Sequence, residues 1–233
     1  MENRAKTKGV FYTELAYAAA IVILALGAAF MERADFGMSM VVAPAYLLHL
    51  KISQYLPWYS FGVSEYVLQA VLLLALCIVI KRPSKGYFFS FVTAVLYGTV
   101  LDGCIFLVSH LPLGGMPGRV LYYLAGMLLC AVGVALFFKA YISPEAYELF
   151  VRELSRKSGR DIGTVKTGYD CCSCLLAVIL SFSFFGFGRF EGVKLGTVIC
   201  ALINGRIIGI VSRRLDVRFD FTDALPLRGI FEK

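Results

Sequence analysis

Charged side chains are scarce in this sequence. They make up 17% of its 233 residues, against about 25% in an ordinary soluble domain. With 59% hydrophobic residues and so little polar cover, a water-soluble globule is excluded. Histidine is almost missing: His49 and His110 stand alone, and no HExxH or paired CxxC…CxxC set occurs, so no metal site is expected. Walker, Rossmann and kinase patterns are absent too. That argues against nucleotide-driven pumping by this chain alone and leaves no cofactor to expect. No catalytic constellation is legible, so an enzyme is not expected. Linkers rich in glycine and serine are lacking, and the longest polar stretch runs only from about Lys139 to Thr167. Residues 1–233 are therefore expected to form a single membrane domain. A cleavable leader with a small-residue site is not recognisable, and the first apolar run, closing at "MERADFG", reads as a retained helix.

Cysteine, by contrast, is present seven times, at 77, 104, 130, 171, 172, 174 and 200, inside or beside apolar runs. There a thiol acts as a small hydrophobe that lets helices pack closely. The run "DCCSC" tempts a metal or thiol assignment, but one helix supplies at most two well-placed ligands and an apolar setting keeps a thiol protonated.

Six apolar segments are long enough, or nearly so, to cross a bilayer, which takes roughly 20 residues. They run Phe11 to Met31, Val63 to Ile80, Tyr87 to Val108, Val120 to Phe138, Gly168 to Gly188 and Leu195 to Val211. The net charge of +7 could suggest nucleic acid, but the basic residues cluster beside these runs and read as topology. With a cytoplasmic N-terminus, the inside segments hold 17 of the 23 basic residues and the outside segments five. Both termini are thus expected in the cytoplasm, with 212–233 as a cytoplasmic tail. Two short pieces remain. "MSMVVAPAYLLHL", Met38 to Leu50, is too short to span and is expected to re-enter or lie in the interface. "SPEAYELFVRELSRK", Ser143 to Lys157, alternates apolar and charged residues at helical spacing and reads as a surface or cavity-edge helix.

The two halves align on each other. "FGVSEYVLQ" at 61–69 lies over "IGTVKTGYD" at 162–170, setting Glu65 against Lys166 and Gln69 against Asp170. "LDG" at 101–103 lies over "ING" at 203–205, setting Asp102 against Asn204. The expected fold is all-α: six transmembrane helices as two inverted 3+3 repeats, about 11–108 and 120–211, each with an extra short re-entrant or interfacial helix. Three crossings per half is an odd number, so the second copy enters the membrane from the opposite side. Inverted repeats with short or broken helices are a mark of secondary transporters, whose sites lie between the halves near the midplane.

The segments "GMSM", "SRKSGRDIGTVKTGYD" and "GTVICALINGRIIGIV" resemble the YczE/YyaS/YitT family of bacterial integral membrane proteins, most closely from about Ser143 to Arg213. Met40 stands where that family tends to have proline after the serine. The resemblance implies a multi-helix fold in a bacterial cytoplasmic membrane and names no substrate.

An ionisable residue inside a span is a functional candidate by default, because lipid cannot solvate it. The candidate solute-binding residues are Glu65, Gln69, Asp102, Lys166, Asp170, Asn204 and Arg206. Glu14 sits close to the start of its helix and is expected to be solvated at the interface. Glu65 with Gln69, and Lys166 with Asp170, are i,i+4 neighbours at span starts and would approach one cavity from opposite sides. Asp102 lies deep in "YGTVLDGCIFLV" and needs a partner from another helix, and Arg206 could pair with Asp102 or Glu65, or bind an anion. These groups are expected to gather around one axis and recognise a zwitterion or an anion. The expected partners are a small polar solute and the lipid bilayer, not nucleic acid, with a second copy of the chain left open. A non-catalytic scaffold or accessory protein for a partner enzyme is the other function the sequence allows.

Overall fold

A computed structural model describes residues 8–80, 85–160, 162–188, 191 and 193–231. Long apolar runs without interior proline become long helices, since a helix satisfies every backbone group where no water is at hand. The main helices are α1 (Thr13–Ala34), α3 (Phe61–Ile80), α4 (Lys85–Ser109), α5 (Gly115–Phe137), α7 (Ile162–Phe185) and α8 (Leu195–Arg218). Each contains a stretch long and apolar enough to cross a membrane. Two short helices interrupt the series: α2 (Ala43–Ile52), with Pro44 in its first turn, and α6 (Ala146–Ser158). α6 stops at Gly159, which takes a left-handed φ of 66° that a side chain would disfavour.

The core is the crossing of α1 on α5. Both helices carry small residues where they meet, and in a membrane such residues let backbones approach until van der Waals contact holds them. Gly27 faces Gly126 and Cys130, while Gly133 faces Leu24. Cys104, Cys130 and Cys200 are buried as small apolar residues, whereas Cys171 and Cys172 are exposed on α7. Around this pair, α4 packs on α1 and α8 on α5, α6 lies against α3, and α2 lies against α7.

The chain's two ends depart from an all-helical design. β1 (Gly9–Tyr12) pairs in parallel with β2 (Phe219–Thr222), in the register Gly9 to Phe219. The segment expected as a tail therefore returns to the start of α1. Glu14 is not simply solvated there: its carboxylate accepts from the Tyr141 hydroxyl at 2.8 Å and from the backbone N–H groups of Ala224 and Leu225 at 3.0 and 2.9 Å. At the opposite end of α1, Asp35 in a left-handed conformation closes the helix and pairs with Arg119 and Lys194.

Candidate functional site

Glu65, Gln69 and Glu145 form one buried network, with exposures of 0, 0 and 2%. Glu65 and Gln69 are one turn apart on α3, so the Gln69 amide donates to Glu65 at 3.2 Å and, across to the start of α6, to Glu145 at 3.3 Å. The Gln69 carbonyl accepts the Ala146 N–H at 3.0 Å, which caps α6 from α3. Tyr147 donates its hydroxyl to Glu65 at 2.9 Å. Ser90 and Thr93 of α4 hold the carbonyls of Pro144 and Ser143 at 2.6 and 2.9 Å, fixing the turn that carries Glu145.

Glu145 and Glu148 border a cavity of about 40 Å³, with Tyr97 from α4, Lys166 from α7 and Asn204 from α8 on its walls. Several polar atoms of this region have no hydrogen-bond partner in the structure: one carboxylate oxygen each of Glu65, Glu145 and Glu148, the Tyr97 hydroxyl and the Asn204 carbonyl. An unpaired buried polar group costs about 1–3 kcal/mol, and more if charged. Burial, reinforced by the neighbouring Glu148 and Glu65 charges, pushes the Glu145 carboxyl well above the usual carboxylate range. Glu148 is raised by burial as well, against the pull of Lys166. Lys166 also pairs with Asp170 at 3.4 Å. Burial thus disfavours the charged form of both carboxyls.

Of the seven sequence candidates, the structure brings Glu65, Gln69, Lys166, Asp170 and Asn204 to this region. Asp102 lies elsewhere, on a separate pocket of about 270 Å³ with Glu32, His49 and Ser60. The partner it needed is the start of α3: it accepts from the Ser60 hydroxyl at 2.5 Å and from the Gly62 N–H at 2.8 Å. Arg206 points to an exposed face of α8, outside the cavity lining. The gathering of all seven groups is therefore realised only in part. Because Asp102 caps α3, Asp102→Ala is expected to cost about 1–2 kcal/mol and to raise amide hydrogen exchange in the first turn of α3. Unchanged melting and exchange would remove that role.

Glu145, Glu148, Tyr97 and Tyr147 escaped the sequence reading. Glu145 and Glu148 belong to a segment rich in charges, where acids ordinarily face water. The available signal for Glu148 was its position one turn before Val151, beside the buried stripe marked by Tyr147 and Val151; Glu145, which precedes the helix, carried none.

No curated protein and no solved structure matches the chain. A family model does match, described as a family of unknown function (DUF6198), over residues 11–213. That range takes in all six long helices up to the last turns of α8, both short helices and every residue of the cavity, so the chain belongs to the family of unknown function DUF6198.

Proposed function

We propose that the chain is a secondary transporter for a small charged solute, working by alternating access between two inverted repeats. The observation that carries this reading is the set of unpartnered, buried carboxylate oxygens around a cavity where both halves of the chain meet. A purely structural bundle gains nothing from such groups, whereas a solute path requires them. The helix pairing supports the repeat: α1 on α4 corresponds to α5 on α8, and α3 on α6 corresponds to α7 on α2. Between the aligned positions, Asp102 stands against Asn204. The YczE/YyaS/YitT resemblance agrees with a multi-pass bacterial membrane protein and adds no substrate, and the clustering of basic residues favours cytoplasmic termini.

The two halves differ in closure. α3 packs closely on α4 through Gly62 and Gly98, clamped by Asp102. The equivalent pair, α7 and α8, touches over a much shorter stretch, and Gly168, Gly205 and Gly209 face open space. Asn204, the counterpart of Asp102, leaves its carbonyl unpaired at the cavity. This asymmetry reads as one state of a rocking cycle. In the other state Asn204 takes the first turn of α7, as Asp102 takes that of α3, and the α3–α4 pair opens.

Spin labels at Val67 and Leu96, and in a second sample at Leu175 and Leu202, test the cycle in lipid on a background freed of native cysteines. All four positions are exposed, so the labels leave the packing intact. Each pair is expected to show two distances, and conditions that shorten the α7–α8 distance should lengthen the α3–α4 distance. One fixed distance in each pair would contradict alternating access.

A further inference from the structure

We propose that the cavity beside Glu145 and Glu148 binds a small protonated amine in exchange for a carboxyl proton. This names the solute class for the transport reading above and rests on that reading. Lys166 is matched by Asp170, and among the described residues no other cation lines the cavity. Among the described residues Glu65, Glu145 and Glu148 form no salt bridge, and Lys166, already paired with Asp170, offsets only Glu148, so an added anion would worsen the mutual repulsion of their charged forms and a cation would relieve it. The zwitterion or anion expected from the sequence is thereby set aside for this cavity.

Hydrogen-bond geometry narrows the cation. A primary ammonium has three N–H donors, and three unpartnered acceptors lie on this one cavity: an oxygen each of Glu145, Glu148 and Asn204. The Tyr97 hydroxyl, on a residue 1% exposed, is a fourth unpartnered group on the same wall. The remaining lining includes Leu24, Met31, Met38 and Val134, which suits an alkyl group. A bare calcium-like ion instead asks for six or more oxygens, and among the described residues no three His, Cys, Asp or Glu side chains gather as a metal-binding set. A cavity of about 40 Å³, room for about three waters at 10–15 Å³ of such space each, matches the smallest alkylammonium ions.

The exchange balances without a further reactant. A glutamic acid loses its proton to water, the ammonium arrives carrying its own positive charge, and the buried site ends as an ion pair. Other titratable groups face Glu145: Glu65 on α3, Tyr97 on α4, and Tyr147 and Glu148 on α6, with Lys166 of α7 on the same cavity and Tyr169 and Asp170 of α7 facing Glu148. Tyr17 of α1 and Cys130 of α5 also face Glu145, while Cys200 of α8 faces Lys166 and Asp170. Lys166 is the one cation among them. Since protons compete with the amine for the same carboxylate, binding weakens as pH falls through the raised carboxyl pKa of Glu145.

Methylammonium chloride titrated into the full chain in lipid nanodiscs, in weakly buffered solution with a pH dye, tests the site. Expected are saturable binding that raises the melting temperature, about one proton released per ion bound, and an affinity that falls up to about tenfold for each pH unit of acidification. Glu145→Gln should weaken binding at least about tenfold, which is 1.4 kcal/mol. Tyr97→Phe, which keeps the ring and the packing, should weaken it severalfold. Sodium or potassium binding equally well, binding without proton release, or no binding by folded wild-type protein would each overturn the assignment. Binding with proton release but no movement across a bilayer would remove the transport reading and leave the amine site standing.

Discussion

Gly27→Leu is expected to leave little or no folded protein. A Cβ at Gly27 would sit 2.8 Å from the Cys130 amide nitrogen, from its Sγ and from the Gly126 carbonyl oxygen. Two of these three atoms are backbone, so the clash cannot be relieved by a rotamer change. Overpacking in a tight core costs about 1–3 kcal/mol and sometimes more, against a total stability of roughly 5–15 kcal/mol for a typical domain. The leucine branch extends well beyond the Cβ, which places this substitution at the upper end. Size-exclusion profiles and melting in detergent should show aggregation or a large loss for Gly27→Leu and a smaller loss for Gly27→Ala. Gly103→Leu is the control, since a Cβ there meets nothing within 4 Å, and it should remain folded. Equal behaviour of Gly27→Leu and Gly103→Leu would show that the α1–α5 crossing is not the keystone of the bundle.

Glu145→Gln is expected to lower solute-coupled proton movement by about 100-fold or more while the protein stays folded. Glutamine keeps the size of the side chain and can still bond to Gln69, so the capped start of α6 survives. What it loses is the charge that a cation would compensate and the proton that would leave in exchange. A scaffold protein, the other function open to this sequence, has no use for that proton, and its cellular role would be indifferent to the change. Full coupled flux in Glu145→Gln would take the central carboxyl out of the mechanism.

How much of this could be read in advance follows from which forces leave a trace in one sequence. Six apolar runs, free of interior charge except at special positions, gave the six long helices, because the bilayer imposes a length and a composition together. α2 and α6 were legible as short elements: Pro44 and Ser143-Pro144 mark their starts, and neither is long enough to span. Glu65, Gln69, Lys166 and Asp170 stood out because polar groups are conspicuous inside spans. Glu145 and Glu148 were hidden for the opposite reason, since acids look ordinary in an amphipathic segment until tertiary packing buries them. The apolar surroundings of Asp102 show in the sequence that it needs a partner, yet the Gly62 N–H that satisfies it is a backbone group of another helix, which side-chain patterns cannot reveal. β1 and β2 pair across more than 200 residues of chain, and such long-range pairing leaves no local signal.

The most direct measurement is proton movement in proteoliposomes that contain the wild-type chain and an internal pH dye, challenged with an outward or inward gradient of methylammonium. Expected is a pH change inside that needs the protein, follows the direction of the gradient and saturates with methylammonium concentration. Glu145→Gln should abolish it, and potassium or sodium chloride at equal concentration should not produce it. A pH trace identical to that of protein-free liposomes, from protein shown to be folded and inserted, would contradict the account.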